Sequence, residues 1–238
     1  MRAFHLGPKW CTKEIRRSCG TIGSACITIK GSYAASWNDS EHRRQMLIGH
    51  NKLRRLDVAG RYGADMIELI WDYTLEDSSL RWLQALCLMN ELEHDYECAQ
   101  TVNFPSVGQN LFASTGHFDN FTEVGLSSIR AWLSERGETE KHSLWPASSG
   151  LNHFTQLYWA KSYALGCAVV LDNSSDGKAW AGCNYGPAGN VVGANIFQPS
   201  SESASACPRG TSNVDGLCRV DNENELRKTL SLPPLPKA

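Results

Sequence analysis

The chain carries nine cysteines, at positions 11, 19, 26, 87, 98, 167, 183, 207 and 218. Nine is odd, so at least one sulfur lacks a partner within the chain. The density exceeds what a reduced cytosolic chain usually carries and falls short of a pure disulfide scaffold. At 238 residues the chain can bury roughly 70% of its unfolded surface, so any bridges supplement a real core rather than replace one. No Cys-x-x-Cys pair occurs, so the zinc-ribbon and thioredoxin readings lack their signature. Disulfides in an oxidising, extracellular compartment are the expectation. Asn38, Asn120 and Asn173 each open an Asn-x-Ser/Thr acceptor in a stretch read as a loop or element start, which suits glycosylation of a secreted chain. Met1 to Pro8 lack the apolar core of a secretory signal, so either this is a mature or trimmed form or the secretion reading is wrong.

The charge balance narrows the partners. Lys and Arg number 23 against 25 Asp and Glu, a net of −2. No basic excess exists to neutralise phosphates, so nucleic acid is not an expected partner. No run of 18 apolar residues is present to span a membrane. Eight Trp, seven Tyr and seven Phe argue against bulk disorder. There is no Arg-Gly-Asp tripeptide for integrin capture.

Three zones follow from composition. Residues 1–39 bear Cys, Gly and Ser without sustained period, and residues 40–199 carry the strong patterns. Residues 200–238 open on a Ser-rich linker-like run, hold a small loop from Cys207 to Cys218 and end in a Pro-rich tail expected to fray, with a Pro-rich ligand segment as the alternative. A first helix is expected from Asp39 or Ser40, either an N-cap, to about Val58, with Met46, His50 and Leu53 at helical spacing. A second fits Thr74 to Leu92 with Leu80, Leu83, Leu86 and Cys87 on one face, capped by Thr74. A third fits Thr122 to Arg136, capped by Thr122, with Leu126, Ile129, Trp132 and Leu133 inward. A short helical turn fits Phe154 to Lys161. Strands are expected at Gly166–Leu171, Lys178–Tyr185 and Val191–Phe197. Asp176-Gly177 signals a hairpin between the first two. If Cys167 faces Cys183, the turn centres on Ser175, and a cross-strand disulfide is geometrically reasonable. Helices first and hairpin-linked strands last argue an α+β fold with an antiparallel sheet.

Several stretches then carry a resemblance. These are Gly49-His50-Asn51-Lys52-Leu53-Arg54, then Trp71, Leu80, Trp82 and Cys87, then His94-Asp95-Tyr96-Glu97-Cys98. Val107-Gly108-Gln109-Asn110 and Trp132-Leu133-Ser134-Glu135 follow. The most specific are His153-Phe154-Thr155-Gln156-Leu157-Tyr158-Trp159 and Cys183-Asn184-Tyr185-Gly186-Pro187-Ala188-Gly189-Asn190. Together they resemble the CAP superfamily of cysteine-rich secretory proteins, antigen 5 and pathogenesis-related 1 proteins, and within it the antigen 5 branch of arthropod venom and saliva. The resemblance implies an α-β-α sandwich with a central antiparallel sheet over residues 40–199, a disulfide-pinned N-terminal extension over 1–39 and a C-terminal extension over 200–238. It implies bridges Cys11–Cys26, Cys19–Cys98 and Cys167–Cys183, with Cys207–Cys218 as an added local loop. The family's fourth bridge would join Cys87 to an N-terminal cysteine that Ile27–Ser40 does not contain, which leaves Cys87 as a free thiol, expected buried among leucines and inert.

The resemblance also implies a cleft of two histidines and two acids, which fall here on His94, Gln109, Glu135 and His153. Two imidazoles with a carboxylate suit a divalent metal such as Zn²⁺ with an open position, or a base oriented by Glu135. Gln109 stands where the family has an acid, and an amide binds zinc poorly and takes no proton. No metal is required on this reading. No nucleophile is indicated, so no catalytic residue is named. His5, His42, His50, His117 and His142 read as structural, with His50 set apart by its apolar helix face. Phe112, Phe118 and Phe121 bracket a loop that could wall a lipid slot. The expected function is therefore a secreted, monomeric, non-enzymatic binder of a small hydrophobic ligand (lipid mediator, sterol or fatty acid) or of a host protein. The alternatives are a metal-dependent hydrolase using His94, Glu135 and His153, and an ion-channel modulator, for which the C-terminal cysteine module is short.

Overall fold

The computed structural model describes residues 33–36, 39–95, 100–116, 118–147, 149–172 and 177–236. The expected Cys11–Cys26 and Cys19–Cys98 pairings, and Asn38 and Asn173, lie outside these residues. The centre of the molecule is a sheet whose middle strand is β5 (Ala164–Asp172). It pairs antiparallel with β6 (Lys178–Gly186) and with β1 (Tyr33–Ala35), and parallel with β3 (Ile70–Trp71). β6 pairs in turn with β4 (Gly108–Thr115), which closes the order β1-β5-β6-β4. The register sets Cys167 opposite Cys183, and their sulfurs form a buried disulfide.

Helices cover both faces, which makes the fold an α+β, α-β-α sandwich. On one face α2 (Tyr73–Met89) sets Leu80, Leu83 and Leu86 on Leu111, Ala168, Val170 and Trp180. On the other, α1 (Ser40–Arg54) and α3 (Phe121–Ser134) lie side by side, and Val124 of α3 meets Val169, Ala179 and Ala181. Successive residues of β5 and β6 thus go to opposite layers, as the two-residue period of a strand requires. Both layers being apolar, β5 reads as an almost continuous buried run rather than an alternating one. Gly166 permits this closeness: a Cβ there would lie 2.1 Å from the Glu76 backbone nitrogen of α2.

The helix starts sit one or two residues earlier than expected for the second and third. Asp72, not Thr74, caps α2 by accepting the Thr74 and Leu75 N–H groups, and Asn120, not Thr122, caps α3 through the Glu123 N–H. α1 does start at the expected cap, Asp39, but ends at Arg54 rather than Val58. Two short helices follow α3: α4 (Arg136–Thr139) and α5 (His153–Leu157), the latter with a capping box from Asn152 and Thr155. Val191–Phe197 is not a strand. Ile196 and Phe197 are buried, yet the segment's backbone bonds go to loops: Ala194 accepts from Ala147, and Ile196 accepts from Ala160. The sheet's third long strand is β4 instead, whose Gln109 and Asn110 broke the apolar pattern because they serve the cleft described below.

Fully buried Arg54 of α1 ties these pieces together. Its guanidinium donates to the backbone oxygens of Ile67, Leu157, Trp159, Ala160 and Ser162. Burial lowers its pKa to about 9, and the ring of carbonyl dipoles stands in for a carboxylate.

Residues 200–236 are packed on this frame. β2 (Tyr62–Gly63) pairs with β7 (Pro199–Ser200), and β8 (Thr211–Val214) forms a hairpin with β9 (Leu217–Val220). Cys218 is disulfide-bonded to Cys207, and its backbone exchanges bonds with Met66 and Glu68. On α6 (Glu223–Thr229), Leu226 enters a core cluster with Ile67, Phe104 and Tyr163. Buried Arg227 donates to the Tyr163 hydroxyl and to the backbone oxygens of Asn103 and Pro233. The Pro-rich end expected to fray is thus held as far as Leu232 and Pro233.

Candidate functional site

Four segments converge at one end of β4. His94 lies in the extended stretch after α2, Gln109 is the second residue of β4, Glu135 joins α3 to α4, and His153 opens α5. The His94 and His153 rings stand 6.2 Å apart between centroids. The His153 and Glu135 side chains are 29% and 31% exposed, so solvent reaches the pair.

The hydrogen bonds fix the tautomer of each neutral imidazole. Gln109 Oε1 accepts the Asp95 backbone N–H at 3.1 Å, so that atom is an oxygen acting as acceptor, and it lies 3.1 Å from His94 Nδ1. His94 Nδ1 therefore carries the proton, and the ring's lone pair is on Nε2. Gln109 itself is oriented by donating Nε2–H to Asn184 Oδ1 at 3.2 Å. His153 Nδ1 lies 2.6 Å from Glu135 Oε1, while Glu135 Oε2 accepts the Phe154 N–H at 3.3 Å. Both carboxylate oxygens are thus spent on the start of α5, and the neutral form of the second imidazole likewise carries its lone pair on Nε2. Among the described residues that Nε2 has no hydrogen-bond partner. Trp132 stacks on the His153 ring at 6.1 Å and 25°, and is anchored by its own Nε1–H on the Leu111 carbonyl.

In this geometry Glu135 meets a histidine, as one of the two expected readings had it, and Gln109 does the same for His94. Glu135 and Gln109 orient the histidines, and an amide oxygen serves that purpose as a carboxylate does, because either accepts an Nδ1–H. The nitrogen that neither Gln109 nor Glu135 engages is Nε2 in each ring. Two imidazoles on one tetrahedral zinc have centroids about 5.2 Å apart, given Zn–N bonds of about 2.05 Å, and reach about 6.4 Å only with the two nitrogens in line through the metal. At 6.2 Å the two rings would have to draw about 1 Å closer to share such an ion. No serine, threonine or cysteine reaches His153 among the described residues, and His94 Nδ1 meets an amide.

A second group, His50 with Cys167 and Cys183, brings its donor atoms within 4.8 Å of one another. It does not fit a metal. The two sulfurs are bonded to each other, His50 Nδ1 is used on the Met46 carbonyl, and His50 Nε2 is used on the Tyr185 hydroxyl.

Against these facts the comparisons can be set. The family model described as "Cysteine-rich secretory protein family", CAP, matches residues 47–185. The chain belongs to the CAP family. Its relatives include "Cysteine-rich venom protein" of Tityus serrulatus, 29% identical over 233 residues, covering 89% of this chain and 54% of that one. "Cysteine-rich venom protein VAR5" of Varanus acanthurus is 30% identical over 202 residues, covering 83% and 84%. "Venom allergen 5" of Tityus serrulatus is 31% identical over 191 residues, covering 74% and 44%. The chain therefore spans about half the length of both Tityus relatives. Among solved structures, that described as "Crystal structure of NaASP2 with Zn2+" superposes with a TM-score of 0.60 at 24% identity, over 75% of this chain and 95% of that one, which speaks to the fold. These relatives are named for venoms, and no described helix of this chain is long and apolar enough to cross a membrane.

The remaining expected positions fall as follows. Phe112, Phe118 and Phe121 are half-buried at the junction of α3 with the sheet, packed on Val124, Val169, Ala179 and Ala181. Asn120 is exposed and caps α3. Cys87 is free, yet half-buried rather than sealed, and burial pushes its thiol up to about 11. A separate recess of about 470 Å³ lies at the far end of β4, with Leu92, Thr115, Lys178 and Trp180 among its walls. Sequence reasoning missed Asn110, Tyr185 and the use of His50, all buried beneath the cleft. The one available signal was a histidine on the apolar face of α1.

Proposed function

We propose that this CAP protein is a secreted, non-enzymatic binding protein of the venom or saliva type, working outside cells on a small hydrophobic ligand or a host protein. Its cleft takes a divalent metal such as Zn²⁺ on Nε2 of His94 and His153. The observation that supports the metal reading is the pairing of each imidazole's Nδ1 with an acceptor, Gln109 or Glu135, which makes Nε2 the nitrogen through which each neutral ring would bind a metal. Zinc there would act as a Lewis acid with open positions for a donor group of a ligand. The chain's own residues bind and orient; no nucleophile stands beside His153 among the described residues to carry a covalent step. The aromatic junction of Phe112, Phe118 and Phe121 is the candidate contact for an apolar ligand, since it lies where α3 meets the sheet.

Native mass spectrometry under non-reducing conditions, followed by solvent extraction and a zinc titration, tests this. Bound lipid or a bound partner, with zinc uptake lost in His153→Ala, is the expected result. A zinc-loaded protein that hydrolyses peptide or ester substrates, and loses that activity in His94→Ala, would overturn it in favour of a metal-dependent hydrolase. The short Glu135–His153 contact is the feature that would serve such chemistry.

A further inference from the structure

Beneath the cleft runs a hydrogen-bond chain whose direction is fixed at every step. His50 Nδ1 lies 2.8 Å from the Met46 carbonyl. A carbonyl only accepts, so Nδ1 carries the proton and Nε2 the lone pair. The Tyr185 hydroxyl, 2.9 Å from that Nε2, must then donate to it. Its oxygen is left to accept, and Asn110 Nδ2 reaches it at 3.3 Å. The same Asn110 amide donates to the backbone oxygen of His153 at 3.0 Å. His50, Asn110 and Tyr185 are each exposed by 1% or less. Trp132 bridges the same two ends, tilted on His50 at 6.4 Å and stacked on His153.

Three polar side chains buried together cost more than apolar ones of the same shape unless every bond is made. Here the bonds are made, and they lead from the α1 backbone to the first residue of α5. Packing alone would hold the rings; a directional chain also fixes the height and rotation of the His153 peptide. We infer that His50, Tyr185 and Asn110 are positioning residues that set His153, and with it the Nε2 lone pair, against His94 for a divalent cation. This rests on the reading of the cleft as a metal-holding site. It extends that site inward by a shell, where partners of ligands commonly change metal affinity 10- to 100-fold, roughly.

The experiment is a titration with zinc ion alone on the purified full chain, alongside nitrogen-resolved NMR of the His153 ring. Tyr185→Phe removes one hydroxyl and keeps the ring, and Asn110→Ala cuts the next link. Each is expected to weaken zinc binding by about tenfold and to move the His153 Nδ1–H resonance. The double variant is expected to fall no further than the weaker single variant, because both cut one chain. Ser79→Ala, which deletes a buried hydrogen bond to the Gly182 carbonyl on the α2 face, is expected to change neither reading, which separates positioning from plain destabilisation. Zinc affinity and the His153 resonance unchanged in both variants, each still melting cooperatively, would overturn the inference. Equal zinc uptake by wild type and His153→Ala would remove the metal reading instead. The His153 resonance would then decide the positioning role alone, a shift upholding it and no shift ending it.

Discussion

Lowering the pH from 7 to 5 tests two buried histidines at once. His42 and His50 are both fully buried on α1. Burial is the main cause that brings each pKa down to about 4 from 6.5. Asp39 and the backbone at Phe121 oppose this at His42 and Arg43 adds to it, while at His50 the Met46 carbonyl opposes and Arg54 adds. The unfolded chain takes up these protons near pH 6.5, the folded chain only near pH 4. Between those values the unfolded state binds more protons, so stability rises with pH. The contribution is complete above about pH 6.5 and is lost as the pH falls toward 4. Each group then costs about 2 kcal/mol at pH 5, and the pair about 4, with a slope near pH 5 of about 2.4 kcal/mol per unit. A domain holding roughly 5–15 kcal/mol feels that loss. Ordinary carboxylates titrate at about 4.3 or below and contribute little in this window. Urea unfolding in half-unit steps from pH 7.5 to 5 reads the slope. His42→Leu is expected to halve it, because it removes one of the two buried imidazoles. A wild-type slope under about 1 kcal/mol per unit, or an equal slope in the variant, would refute the argument.

Three further outcomes follow from the packing. Gly166→Ala puts a Cβ 2.1 Å from the Glu76 nitrogen, so α2 must leave the sheet; a loss of about 3 kcal/mol or more in chemical unfolding is expected. Arg54→Met leaves the carbonyls of Ile67, Leu157, Trp159, Ala160 and Ser162 without their shared donor, and about 3–5 kcal/mol of destabilisation is expected in the same assay. Cys87, its thiol pushed up to about 11, should alkylate at neutral pH about a hundredfold more slowly than an unperturbed thiol; labelling at the free-cysteine rate would show the helix face to be open.

The legibility of the sequence varied with how local the cause was. α1 could be placed because Asp39 and the spacing of Met46, His50 and Leu53 act within one helix. β5 and β6 could be placed because strands buried on both faces leave apolar runs. β4 could not, because Gln109 and Asn110 interrupt its pattern in order to reach His94, Tyr185 and His153 from other segments. Val191–Phe197 misled for the opposite reason: Ile196 and Phe197 are buried by loops, and burial without a ladder partner looks the same in one dimension. The Pro-rich tail looked free because nothing near it in sequence announces Arg227 as a buried clamp on Pro233, Tyr163 and Asn103.

The odd cysteine count, the family motifs and the positions of the two cleft histidines belong to the sequence by itself. Parity requires no coordinates, and motifs spaced along 42–199 already specify a known fold. The tertiary structure alone decided which atoms those residues bring together. Whether Glu135 binds a metal or holds a histidine depends on which atoms lie 2.6 Å away across 18 residues of chain. Whether Gln109 spoils the cleft or completes it depends on the Asp95 N–H that makes its oxygen an acceptor. Hydrogen-bond direction is a property of pairs of atoms brought together by folding, and no single residue type carries it.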